Sequence, residues 1–150
     1  MKPKKKPFDP ALFAETDRIA RNAVMEYIGA SGIFVQDNPD IYGPDLIVYK
    51  GFKPDFYAEV EIKKVWKKDQ DEFPWSTVQL PARKLKFMSL GAPCEFFILR
   101  EDLRMAIILP DYIVAASPVS EVRNKYVPDG EMFVTVDVSD CQVVIISEEE

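Results

Sequence analysis

The sequence predicts an α/β domain built on a mixed β-sheet flanked by helices. Three observations predict it. A long helical periodicity over residues 10–28 is followed by short segments rich in β-branched and aromatic residues, divided by Gly, Pro, Asn and Asp. Two of these segments, 43–49 and 56–63, are near enough to form a hairpin. A longer connection then leads to the apolar segment 95–99, and strand, crossover and strand imply parallel pairing. Segments 95–99 and 105–109 are apolar almost throughout, as in a sheet covered on both faces. A chain of 150 residues suffices for one domain with a sizeable core, and no repeat or linker divides it.

Taken in order, residues 1–8 read as a flexible basic lead. Asp9 stands at an N-cap position and Pro10 suits a first turn. Leu12, Phe13, Ile19, Ala20, Ala23, Val24 and Tyr27 then recur at helical spacing until Gly29 and Gly32. Residues 33–36 read as a strand and 37–43 as a turn-rich loop. Residues 64–75 form a long loop holding both tryptophans and several lysines. Residues 77–80 are extended, since Pro81 would break a helix begun at Ser76; Pro81 instead opens a helix to about Leu90, closed by Gly91. A turn at Glu101-Asp102 leads to a hairpin strand over 105–109. Beyond Pro110 come a short helix over 111–116, a second helical piece over 120–125, a turn over 127–131, and late strands over 133–138 and 142–146.

The chemistry concentrates on the hairpin. With the turn residues 50–55 between its arms, a fold about Lys53 pairs residues whose numbers sum to about 106. That register sets Asp45 opposite Glu61 and Ile47 opposite Glu59. Alternation puts Asp45, Glu59, Glu61 and Lys63 on one face and Leu46, Val48, Phe56, Ala58, Val60 and Ile62 on the other. An ordinary solvated acidic face would look similar. However, opposed like charges destabilise a strand pair, and a divalent cation together with Lys63 would neutralise them.

Pro44-Asp45 and Glu61-Ile62-Lys63 resemble the signature of the PD-(D/E)xK nuclease superfamily. Pro39-Asp40 and Pro54-Asp55 carry the same dipeptide. Asp40, however, precedes the strand, and Asp55 begins the same strand as Glu61, so neither faces Glu61 across a ladder. The resemblance implies a restriction-endonuclease-like core: a three-strand meander, a crossover helix, then a parallel strand. It implies hydrolysis of a DNA phosphodiester, endo- or exonucleolytic, on duplex or branched substrate, by a chain that acts as a homodimer or with a protein partner. Asp45 and Glu61 would bind Mg²⁺ or Mn²⁺, aided by the Ile62 carbonyl and Glu59, and Lys63 would position the water. Glu15, or failing it Glu26, would add a helical carboxylate, although acids early in a helix also suit its dipole. Gln79 is a further catalytic candidate. Lys64, Trp66, Lys67, Arg83 and Lys84 are candidates for DNA contact, because cations interleaved with aromatics suit phosphates and bases. The alternative is a catalytically silent nuclease-fold module that binds nucleic acid or protein.

Composition narrows the chemistry further. Histidine is absent, which rules out histidine-based triads and histidine-ligated zinc. Carboxylate chemistry on a hard cation remains. Cys94 and Cys141 lie in apolar surroundings and read as buried thiols of a reducing, cytoplasmic setting. The net charge of −6 opposes tight DNA binding, yet residues 50–86 hold nine basic side chains against six acidic ones.

Overall fold

The computed structural model describes residues 10–123 and 130–148. Helix α1 (Pro10–Gly29) leads into β1 (Phe34–Asp37), β2 (Leu46–Lys50) and β3 (Lys53–Ile62). These form an antiparallel meander. The chain then passes through β4 (Thr77–Pro81) and a 3₁₀ helix (Ala82–Ser89) to β5 (Cys94–Leu99), which lies parallel to β3. Strand β6 (Met105–Leu109) returns antiparallel to β5, and α2 (Asp111–Ala116), β7 (Val119–Val122), β8 (Glu131–Asp137) and β9 (Gln142–Ile145) complete the fold.

Two sheets result. The larger has strand order β1-β2-β3-β5-β6-β9, and the smaller β4-β8-β7. Meander, crossover and parallel strand are the mixed core expected of a restriction-endonuclease-like fold. The large sheet divides the interior. On one face Ala20, Val24 and Ile28 of α1 pack against Leu46, Val48, Ala58, Val60, Phe97 and Leu99. On the other, Phe96, Ile98, Ile107 and Leu109 meet Val78, Leu80, Phe87, Val134 and Val136. Consecutive residues of β5 therefore feed opposite cores, which is why its sequence is apolar without a break.

Several sequence expectations change. The hairpin turn is only Gly51-Phe52, because Lys50 pairs with Lys53. Gly51 has φ 64°, at the first loop position where two-residue hairpins favour glycine. Lys53, Pro54 and Asp55 belong to β3. Pro54 is tolerated because β5 does not reach it; the parallel pairing starts at Tyr57. Residues 120–122 are strand, not helix, since Val119–Val122 finds a partner in β8. The extended segment at 77–80 joins the small sheet, and the helix opened by Pro81 is of the tighter 3₁₀ type. Cys94 is buried, but Cys141 is only half-buried. The basic lead, the Asp9 cap and most of the turn over 127–131 lie outside the described residues.

Candidate active site

The site lies where β2 and β3 begin to part, and its register corrects the one expected. Leu46 pairs with Ala58, Ile47 with Tyr57 and Val48 with Phe56, so residue numbers sum to 104. Asp45 therefore lies beside Glu59 rather than Glu61. The offset is two residues, so every side chain keeps its face. The extra slack lies between Val48 and Tyr49, where the pairing shifts by a residue.

A backbone amide from the facing segment holds each of the two carboxylates. The Asp45 amide donates to Glu59 Oε1 at 3.1 Å, and the Val60 amide donates to Asp45 Oδ2 at 2.8 Å. Glu59 is 8% exposed. Burial, then the hydrogen bond to Asp45 and the Asp45 charge, raise its carboxyl to about 8. Lys84 opposes that rise.

Cations reach the pair from two other elements. Arg21 of α1 places Nη2 3.0 Å from Asp45 Oδ1 and Nε 2.9 Å from Asp17. Lys84 of the 3₁₀ helix places Nζ 3.4 Å from Glu59 Oε2 and 3.7 Å from Glu61 Oε2. Lys63 lies 3.0 Å from Glu61 Oε1 and donates to the Gln79 carbonyl at 3.2 Å. Asp45, Glu59 and Lys84 line a cavity of about 290 Å³ together with Ile41, Tyr42, Gly43, Arg83, Lys86 and Phe87.

Glu15 is exposed and makes no ion pair among the described residues. Glu26 lines a different cavity, with Lys68, Arg100 and Arg104. The helical acid coupled to the site is Asp17, whose carboxyl is raised by burial and, in part, by Asp45. Ile62 packs its side chain on the α1 side, away from the acids. Gln79 touches the cluster through its main-chain carbonyl, not its amide. Trp66 is fully buried, its Nε1 donating to the Gln70 carbonyl at 2.8 Å, so it is a core residue and not a stacking platform. Lys64 is exposed. Lys67 and Arg83 are exposed and paired with Glu101 and Glu131. Sequence reasoning missed Arg21. The only trace of it is Asp17 four residues earlier on the helix, a spacing that brings the pair together.

Among the described residues no group of three or more acids or thiols is arranged to hold a metal ion unaided. The donor set nonetheless suits a small hard cation, which commonly takes one or two carboxylates and fills its shell with water and phosphate oxygens. One further feature fits a cation: Glu61 Oε2 is buried without a hydrogen-bond partner, 3.7 Å from Lys84 Nζ.

The protein is thus a mixed-sheet α/β fold carrying carboxylates and lysines at the open end of a β-hairpin. Among solved structures five chains match. One is the Holliday junction resolvase Hjc of the archaeal hyperthermophile Archaeoglobus fulgidus. It is 15% identical over 83% of this chain and 85% of that one, with a TM-score of 0.49. No family model and no curated protein matches.

Proposed function

We propose that this chain is a metal-dependent phosphodiesterase that cleaves DNA at the Asp45–Glu59 cluster. The observation that carries the reading is the convergence of Asp45, Glu59 and Glu61 with Lys63 and Lys84 at one end of a rigid hairpin. A divalent cation such as Mg²⁺ or Mn²⁺, held by Asp45 and Glu59 with Glu61 nearby, would polarise a phosphoryl oxygen and acidify a bound water. The protein's own residues supply the rest. The Val60 amide and Arg21 orient Asp45. Lys84 offsets the charge of Glu59 and Glu61 and offers an ammonium to a developing phosphorane oxygen. Lys63, tied to Glu61 and the Gln79 carbonyl, holds the far edge of the site. Both lysines stand beside carboxylates and act as electrostatic positioners.

A second reading is a silent nuclease-fold module that binds nucleic acid. It draws on the lack of a self-sufficient metal cluster among the described residues and on the net charge of −6.

Incubation with linear, circular and branched DNA, with Mg²⁺, Mn²⁺ or chelator, separates the two. Cleavage is expected only with metal. It should fall by a factor of about 10² or more in Asp45→Ala, Glu59→Gln and Lys84→Met, as for loss of one charge-stabilising group. Undiminished cutting by all three variants, or no cutting by the wild type on any substrate, would remove the enzyme reading.

A further inference from the structure

The loop between β1 and β2 is closed by its own hydrogen bonds. Asn38 Nδ2 donates to the Pro44 carbonyl at 3.0 Å, and the Asp40 amide donates to Asn38 Oδ1 at 3.0 Å. The Tyr42 amide donates to Asp40 Oδ1 at 3.0 Å, and the Gly43 amide to the Asp40 carbonyl at 3.1 Å. A Cβ on Gly43 would meet Asn38 Nδ2 at 2.6 Å, so glycine permits this closure. The tip held this way is nevertheless bare. Ile41 is 84% exposed and Tyr42 79%.

Single exposed apolar side chains are ordinary; their position gives these two meaning. Both line the cavity that holds Asp45, Glu59 and Lys84. That cavity therefore joins three chemistries: carboxylates, cations, and an apolar rim with an unstacked aromatic ring. Of its cations, Arg83 is paired with Glu131 and Lys84 with Glu59 and Glu61. Lys86 is exposed, lies 5.5 Å from the Phe87 ring centroid, and makes no ion pair among the described residues.

A lone phosphate would use only the cations. A continuous duplex keeps its base faces stacked on one another and leaves the Tyr42 ring without a partner. A strand with an unstacked base supplies a phosphate for Lys86 and Arg83 and a π-face for Tyr42. It also supplies an opened base step against which Ile41 can wedge. We infer that the Ile41–Tyr42 tip is a base-stacking element that selects DNA carrying an unpaired base beside a phosphate held by Lys86 and Arg83, next to Asp45 and Glu59. The inference deepens the nuclease reading of that cavity and names its substrate class.

The test is binding in chelator, where metal-dependent cleavage does not occur. The probes are a continuous duplex, the same duplex with one unpaired 2-aminopurine, and the labelled single strand, read by mobility shift and fluorescence. The wild type is expected to favour the unpaired probe over the continuous duplex by about tenfold, the range of one base–aromatic stack, and to quench its fluorescence. Tyr42→Ala should lose both effects and Tyr42→Phe keep them. Tyr112→Ala, which removes another exposed ring (69%) on α2, should change neither. Equal affinity for the two duplexes, absence of binding, or a Tyr42→Ala protein that selects and quenches like the wild type would overturn the inference. Selection of the unpaired probe by a protein that cuts nothing with Mg²⁺ would remove the nuclease reading and leave the stacking element standing. Cutting of all probes alike by wild type and Tyr42→Ala would do the reverse.

Discussion

Glu59 carries the largest electrostatic tension in the site. In the unfolded chain its carboxyl titrates near 4.5, and in the folded one at about 8. Below 4.5 both states hold the proton, and the folded state suffers no penalty. Between 4.5 and 8 only the folded state holds it, so stability falls as pH rises, by at most about 1.4 kcal/mol per pH unit. Above 8 the loss is complete. Metal-free melting curves should therefore show a declining midpoint from pH 5 to pH 8, and Glu59→Gln should flatten that decline. Asp17 and Glu95 are also raised by burial, so the diagnostic quantity is the difference between variant and wild type. Identical slopes would mean that Glu59 is ionised in the folded protein.

Among the elements, the loop over residues 63–76 departs furthest from its appearance in sequence. Its lysines and tryptophans suggest a nucleic-acid surface, but the loop is pinned from within. Trp66 Nε1 and Arg100 Nη1 both donate to the Gln70 carbonyl, at 2.8 and 3.1 Å, and the Lys67 amide donates to Gln70 Oε1 at 2.8 Å. Trp66 also packs edge-on against Phe73. Trp66→Ala is therefore expected to cost about 3–5 kcal/mol in denaturant unfolding, the range for emptying a large core site. At temperatures where the variant stays folded, its DNA affinity should match the wild type. A stable variant with weakened DNA binding would reverse the assignment of this loop.

For the whole molecule, charge and topology act together. The chain is acidic overall, so its surface offers little non-specific attraction for DNA. Among the described residues, Arg83, Lys84 and Lys86 gather at the cavity beside the acids. DNA binding should accordingly show a shallow salt dependence. Three phosphate contacts give a slope of about −3 in log K against log salt, far below that of a broad basic surface. A much steeper slope would reveal a second, extended DNA contact. Topology brings the acid cluster and its cations together from distant parts of the chain: Asp45 just precedes β2 and Glu59 lies on β3, α1 supplies Arg21, and the 3₁₀ helix in the crossover supplies Lys84.

By itself the sequence determined the elements of the large sheet, the parallel return of β5, and the face on which the acids stand. Local chemistry governs all of these. Alternation of apolar and charged residues sets which side of a strand faces the core, and turn residues mark where strands end. The sequence did not determine the register, because a slip of two residues preserves every face and leaves the hydrophobic pattern unchanged. Tertiary structure decided that slip through the short Gly51-Phe52 turn and the irregularity at Val48/Tyr49, and so made Glu59 rather than Glu61 the neighbour of Asp45. It also decided which cations serve the site. Arg21 and Lys84 lie far from the hairpin in sequence, and only packing of α1 and the 3₁₀ helix against the sheet brings their charges to buried carboxylates. The same packing placed Trp66 in the core and left Tyr42 bare, a distinction that depends on which surfaces the rest of the chain covers.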